Sequence, residues 1–136
     1  MTPDEARARF AESSVAYLAT VGTDGAPHVV PITFALDGDV ICTAVDAKPK
    51  RGTPLRRFEN VADNPLVSVL VDAYDPDWSR LWWARADGRA RIVADGEELG
   101  RALSALRARY PQYGRVALIG PAMVIAVDRW SGWSSV

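Results

Sequence analysis

Cysteine is almost absent from this chain of 136 residues. Cys42 stands alone, so no internal disulfide can form, and no CxxC pair is present to hold a metal. Histidine is as scarce, with His28 the sole imidazole. Neither a Ser-His-Asp arrangement nor a metal constellation is evident. Charge of one sign is not in excess: the formal net charge is −1, which argues against general nucleic-acid binding, since that needs a basic face. No apolar run approaches the roughly 18 residues of a membrane-spanning helix. The opening MTPDEARARF is charged and lacks an apolar signal core. The expected compartment is therefore the cytoplasm, with no membrane partner. Low-complexity segments, internal repeats and linkers are also missing, so a single domain over residues 1–136 is expected.

What is present reads as short strands and helices. Thr2, Pro3 and Glu5 make a capping box and first turn, predicting a helix to about Ser13 or Ser14. Strands are predicted at VAYLATV (15–21), PHVVPITFAL (27–36) and VICTAV (40–45), separated by Asp-Gly turns. TPLRRFENVADNP (53–65) reads as a short helix ended by Asn64-Pro65. PLVSVLVDAY (65–74) has few polar residues and is expected to be a strand covered on both faces. In LWWARADGRARIV (81–93), alternation places Trp82, Ala84, Ala86, Gly88, Ala90 and Ile92 on one side and Trp83, Arg85, Asp87, Arg89 and Arg91 on the other. Gly88 there marks a bulge, a close backbone approach or a hairpin turn. Asp95 and Glu98 form a second capping box, opening a helix whose Leu99, Ala102, Leu103, Leu106 and Tyr110 recur at helical spacing before Pro111. Arg109 lies on this late helix, away from the other candidate residues. AMVIAVDRW (122–130) is the last predicted strand, followed by the tail SGWSSV. Hairpin-joined strands with interspersed helices favour an antiparallel β-barrel decorated by helices, a mainly β fold.

The loop DAKPKRGTPLRR (46–57) gathers Lys48, Lys50, Arg51, Arg56 and Arg57, and Lys48 and Lys50 are the protein's only lysines. A strand end, a loop shaped by Pro49 and Gly52, and a helix start place free backbone N–H groups beside several cations. Such a junction suits a phosphate. The same cluster is also compatible with a solvated surface loop. The five tryptophans are Trp78, Trp82, Trp83, Trp130 and Trp133. They suit core and interface packing, or, for Trp82 and Trp83, an aromatic wall against a planar ligand. Arg129, Trp130 and Trp133 lie in a C-terminal segment that can reach a pocket mouth. Arg85, Arg89 and Arg91 read as salt-bridged or anion-facing. His28 reads as structural or exposed, and Cys42 as a small core residue.

In order, LATVGTDGAPHVVPITF (18–34), VICTAVDAKPKRGTPLRRFENVADNPLVSVLVD (40–72) and WARADGRARIV (83–93) resemble the split β-barrel flavin and deazaflavin oxidoreductases, the superfamily of pyridoxamine 5′-phosphate oxidases. DAKPKR, DWSRLWW and RWSGW are similar to its branch of probable enzymes using the deazaflavin F420. The resemblance implies a homodimer with the cofactor at the subunit interface. It also implies that Lys48, Lys50 and Arg51 surround the cofactor phosphate. Val30, Pro31 and Thr33, with Thr43 and Ala44, would line the ring and ribityl chain. Arg56 at the helix start, and Trp82 and Trp83 as the aromatic wall, complete the expected cofactor-binding set; no catalytic side chain is assigned. The implied reaction is hydride transfer between F420 and a small organic substrate. The alternatives are an FMN-dependent oxidase or reductase of the pyridoxamine-phosphate type, and a non-catalytic flavin- or deazaflavin-binding protein. No clear pyridoxal-phosphate site can be assigned.

Overall fold

A computed structural model describes residues 1–46 and 55–135. In chain order the elements are α1 (Pro3–Glu12), β1 (Ala16–Val21), β2 (Pro27–Ile32), β3 (Ala35–Asp37), β4 (Val40–Asp46), α2 (Arg56–Asp63), β5 (Leu66–Ala73), β6 (Trp82–Val93), α3 (Gly96–Arg109) and β7 (Leu118–Ser134). All seven strands join one antiparallel sheet in the order β2-β1-β5-β6-β7-β4-β3. This is the mainly β architecture the hairpin pattern predicts, and a split barrel: β2 and β3 end the sheet on opposite edges, with no ladder between them.

The split explains one departure from the sequence reading. PHVVPITFAL is not a single strand. Its first part pairs with β1 at one edge, and its last part pairs with β4 at the other. Thr33 and Phe34 carry the chain across, and Phe34 is driven fully into the core. A period-2 pattern cannot distinguish one long strand from two collinear pieces serving different neighbours.

At the N-terminus the capping box forms as predicted, with Thr2 Oγ1 accepting from Glu5 N–H and the Glu5 carboxylate accepting from Thr2 N–H. The second box does not form. Asp95 makes no side-chain cap, and the Glu98 carboxylate instead accepts both Arg91 guanidinium N–H groups. A bidentate charge-assisted pair outcompetes a single cap bond.

The main core lies inside the barrel, built by Phe10, Leu18, Phe34, Val69, Met123 and Ile125. A second cluster lies under α3, where Leu103 and Leu106 cover Cys42, Leu118 and Val124.

β6 runs unbroken through Asp87-Gly88, with a register shift against β7 there. A Cβ on Gly88 would press into the Ala126 carbonyl oxygen, so the glycine marks a close approach, not a hairpin turn. The predicted alternation holds past the bulge through Arg89, Ala90 and Arg91. It fails only at the strand's end, where Ile92 is exposed and Val93 buried, because α3 covers that end of the opposite face.

β7 is longer than expected. The tail continues the strand, since Trp133 and Ser134 pair with Trp83 and Trp82. β5 is buried on one face only, by Val67, Val69 and Val71, while Leu66 on the other is 62% exposed. No described helix is long and apolar enough to cross a membrane.

Candidate functional site

Three surfaces carry the residues singled out above. The first is the junction between β4 and α2. Lys48, Lys50 and Arg51 lie outside the described residues, but both anchors of their loop are described. β4 ends at Asp46, paired with Leu118 of β7. α2 begins at Arg56, whose guanidinium donates to Asp24 Oδ2 at 3.2 Å in the β1–β2 turn. Further along α2, buried Asn60 donates through Nδ2 to Thr20 Oγ1 at 3.0 Å. Gly22 makes room for that helix, since a Cβ there would sit 2.5 Å from Asn60 Oδ1. Phe58 and Val61 complete the docked face. The start of α2 is thus fixed to the barrel by packing, an ion pair and a buried amide.

The second surface is the crossing between β2 and β3. Pro31 is tolerated because β2 is an edge strand, and it is exposed beside half-buried Val30. Thr33 Oγ1 lies 2.7 Å from the Tyr113 hydroxyl. Behind it Thr43, only 2% exposed, donates through Oγ1 to the Thr33 carbonyl at 2.8 Å. Ala44 is also buried, paired with Ala122. Thr43 therefore supports the crossing at Thr33. Ala44 is instead buried in the cluster under α3 and Val30 packs on the barrel core, so within one chain these two do not join Pro31 and Thr33 in one exposed wall.

The C-terminal end of α3 locks this crossing. Tyr110 Oη accepts from Phe34 N–H at 3.0 Å and lies 2.8 Å from the carbonyls of Ser14 and Phe34. Its proton is held more tightly than usual, chiefly because the ring is buried. Arg109 donates to the carbonyls of Phe10, Ala11, Ser13 and Phe34. The guanidinium thereby adds donors to carbonyls at and just past the end of α1, where intrahelical partners run out. Tyr110, Tyr113 and Arg109 were not assigned these roles from sequence. The available signal was RYPQY: two tyrosines three apart around a helix-ending proline, beside an arginine.

The third surface is the outer face of β2-β1-β5-β6-β7. Cross-strand register aligns Pro31, Tyr17, Leu70, Arg85 and Ser131 in one row and Val29, Ala19, Ser68, Asp87 and Arg129 in the next. Val29 and Leu66 are more than 60% exposed, and Tyr17 and Trp133 more than 40%. Amid this apolar surface Asp87 accepts from Ser68 Oγ at 2.6 Å and from Arg85 Nε at 3.1 Å. A hollow of about 340 Å³ opens there between Ala19, Leu66, Ser68 and Asp87.

Trp82 and Trp83 point to opposite faces of β6, so one chain does not bring them together as a single wall. Trp82 packs on the core beneath the Arg9 guanidinium, 4.6 Å from its ring centroid. Trp83 lies on the outer face beside Trp133, with Arg85 5.4 Å from its ring. Trp130 meets Phe10 edge-on inside the barrel at 5.2 Å.

Arg85, Arg89 and Arg91 are ion-paired with Asp87, Asp128 and Glu98. His28, on β2, keeps a buried Nδ1 without a hydrogen-bond partner among the described residues. Burial pushes the Cys42 thiol up to about 11, with Asp37 and Glu98 adding to the shift. It is protonated at neutral pH and behaves as a core residue. Among the described residues no group of histidines, cysteines and carboxylates is arranged to hold a metal.

Set against known proteins, residues 2–134 match the pyridoxamine 5′-phosphate oxidase family. A 58-residue stretch is 41% identical to a 5a,11a-dehydrotetracycline/5a,11a-dehydrooxytetracycline reductase of Streptomyces rimosus. That stretch covers 40% of this chain and 37% of the reductase. A FAD-binding protein of Mesorhizobium loti superposes with a TM-score of 0.72 at 23% identity, over 97% of this chain and 94% of that one. A heme-binding protein of Mycobacterium smegmatis gives 0.72 at 22% identity, over 98% of this chain but 57% of its own length. At these identities the structural matches speak for the fold alone.

Proposed function

The chain belongs to the pyridoxamine 5′-phosphate oxidase family, and on that premise we propose that it binds a flavin-type cofactor, the deazaflavin F420, and serves hydride transfer between that cofactor and a small organic substrate. The observation that carries this reading is the family match over residues 2–134, which spans the lysine-bearing loop and both of its anchors.

The residues present fit such a group. The exposed edge strand at Pro31, beside the β2–β3 crossing, suits a flat ring. The α2 start, pinned through Arg56 and Asn60, suits a loop that must meet a phosphate with Lys48, Lys50 and Arg51. When bound, a deazaflavin supplies the two-electron chemistry. The chain's residues then have other tasks: the cations hold the phosphate, the β2–β3 crossing orients the ring, and the apolar walls exclude water. In this reading two copies pair through the outer sheet face, bringing Trp83 of each toward the other's site.

The partial likeness to a named reductase favours the enzyme reading. The likeness to a FAD-binding protein keeps FMN or FAD as the second choice of cofactor. A pyridoxamine-phosphate oxidation has no support from any assigned pyridoxal-phosphate site.

The test is turnover. Purified protein mixed anaerobically with reduced F420 and a panel of quinone and enone acceptors is expected to restore the oxidised deazaflavin spectrum at a rate proportional to protein. Tight cofactor binding without protein-dependent reoxidation would leave a carrier, not an enzyme.

A further inference from the structure

The hollow between the β2–β3 crossing and the turn at Pro111–Gly114 has a volume of about 340 Å³, within the range of small-molecule sites. Val15, Val116 and the rings of Tyr110 and Tyr113 form its walls, with Thr33 and Gln112 as polar points. The two tyrosine rings stand edge to face, 5.8 Å apart between centroids. Among the described residues no charged side chain lines the cavity, and this lining suits a neutral ligand.

The hydroxyls divide the work. Tyr110 Oη is spent on Phe34 and Ser14 and holds the fold. Thr33 Oγ1 and Tyr113 Oη share one hydrogen bond of 2.7 Å. Two hydroxyls carry two protons, and only one lies between them. Whichever group donates, the other proton remains available to the cavity, along with free lone pairs.

The geometry points to this hollow as the substrate site, taking a neutral, flat, mainly apolar ring system with a carbonyl or phenolic oxygen directed at the Thr33–Tyr113 pair. A purely aliphatic ligand would bury that pair and Gln112 unpaired, which is costly. An aromatic ligand gains edge-to-face contact with the tyrosines. Thr33 directly follows the end of β2, so a ring bound here lies beside the crossing assigned to the cofactor. Naming the ligand a substrate rests on the proposed function; the binding itself does not.

The test uses 9-fluorenone, a flat tricyclic ketone, and fluorene, which has the same rings without the oxygen. Both are titrated calorimetrically into the purified full chain without cofactor. Wild type is expected to prefer the ketone. Replacing both hydroxyls (Thr33→Val with Tyr113→Phe) leaves neither unpaired and is expected to weaken fluorenone about three- to tenfold while leaving fluorene unchanged. Val116→Trp is expected to abolish binding of both, and Ser104→Ala, on the exposed side of α3, to change neither. An unchanged ketone preference in the double variant overturns the assignment, as does binding indifferent to Val116→Trp or absent from wild type. Competition between fluorenone and bound cofactor for one site overturns it too. Flavin and deazaflavin titrations of the same wild-type sample separate the two readings. Ketone selectivity without cofactor binding supports the hollow and defeats the proposed function; cofactor binding without ketone selectivity does the reverse.

Discussion

Arg109 ties four carbonyls from α1, the following loop and the β2–β3 crossing to the end of α3. Its partners lie between 75 and 99 residues away in the chain, which is why the sequence places it outside every site yet leaves its structural role invisible. Arg109→Ala is expected to lower unfolding stability by about 2–3 kcal/mol, read as a lower urea midpoint with an unchanged slope. Arg109→Lys is expected to recover part of this, since one ammonium cannot span the positions a guanidinium fork reaches. A variant as stable as wild type would show the four contacts to be idle. Other residues were legible because their roles are local or compositional. Cys42 sits in an apolar strand and is buried, and Thr2 and Glu5 cap their own helix. Tyr113 was not legible, because its partner Thr33 is 80 residues distant.

Elements were legible where one physical signal dominated. The strands β1 and β4, each beside an Asp-Gly turn, the helix ended by Asn64-Pro65 and the helix ended before Pro111 all stand where polarity and backbone chemistry put them. The failures share a cause: a local signal was outvoted by a distant neighbour. PHVVPITFAL divides because its halves pair at opposite sheet edges, Glu98 leaves its cap for Arg91, and the tail joins β7 because β6 offers it a ladder. Gly88 is the case where the sequence left three options and packing chose. Gly88→Ala is expected to destabilise the chain by about 1–3 kcal/mol through the clash with the Ala126 carbonyl. A thermal melt shows it as a fall in Tm of several degrees. A neutral outcome would mean that the β6–β7 bulge yields freely.

For the whole molecule, the outer sheet face exposes Tyr17, Val29, Leu66 and Trp133 around the Arg85–Asp87–Ser68 network. An apolar sheet face of this kind suits a partner surface, and two-fold pairing of identical chains is the simplest cover. Light scattering is expected to give twice the chain mass at micromolar concentration, and Leu66→Glu to return the single-chain mass. A monomeric wild type would defeat the shared site. The cofactor loop is the central claim, and the part proposed for its key side chains, Lys48, Lys50 and Arg51, rests on composition and resemblance alone. Parallel titrations with F420 and FMN of the wild type, Lys48→Ala, Lys50→Ala and, as a control on the exposed side of α3, Arg101→Ala test it most directly. The account predicts tighter binding of F420 than of FMN and a loss of about ten- to a hundredfold in Lys50→Ala. It also predicts that binding weakens as salt rises, while Arg101→Ala matches wild type. Lysine variants that bind F420 as well as that control would contradict the phosphate assignment, and FMN bound more tightly than F420 would contradict the choice of cofactor.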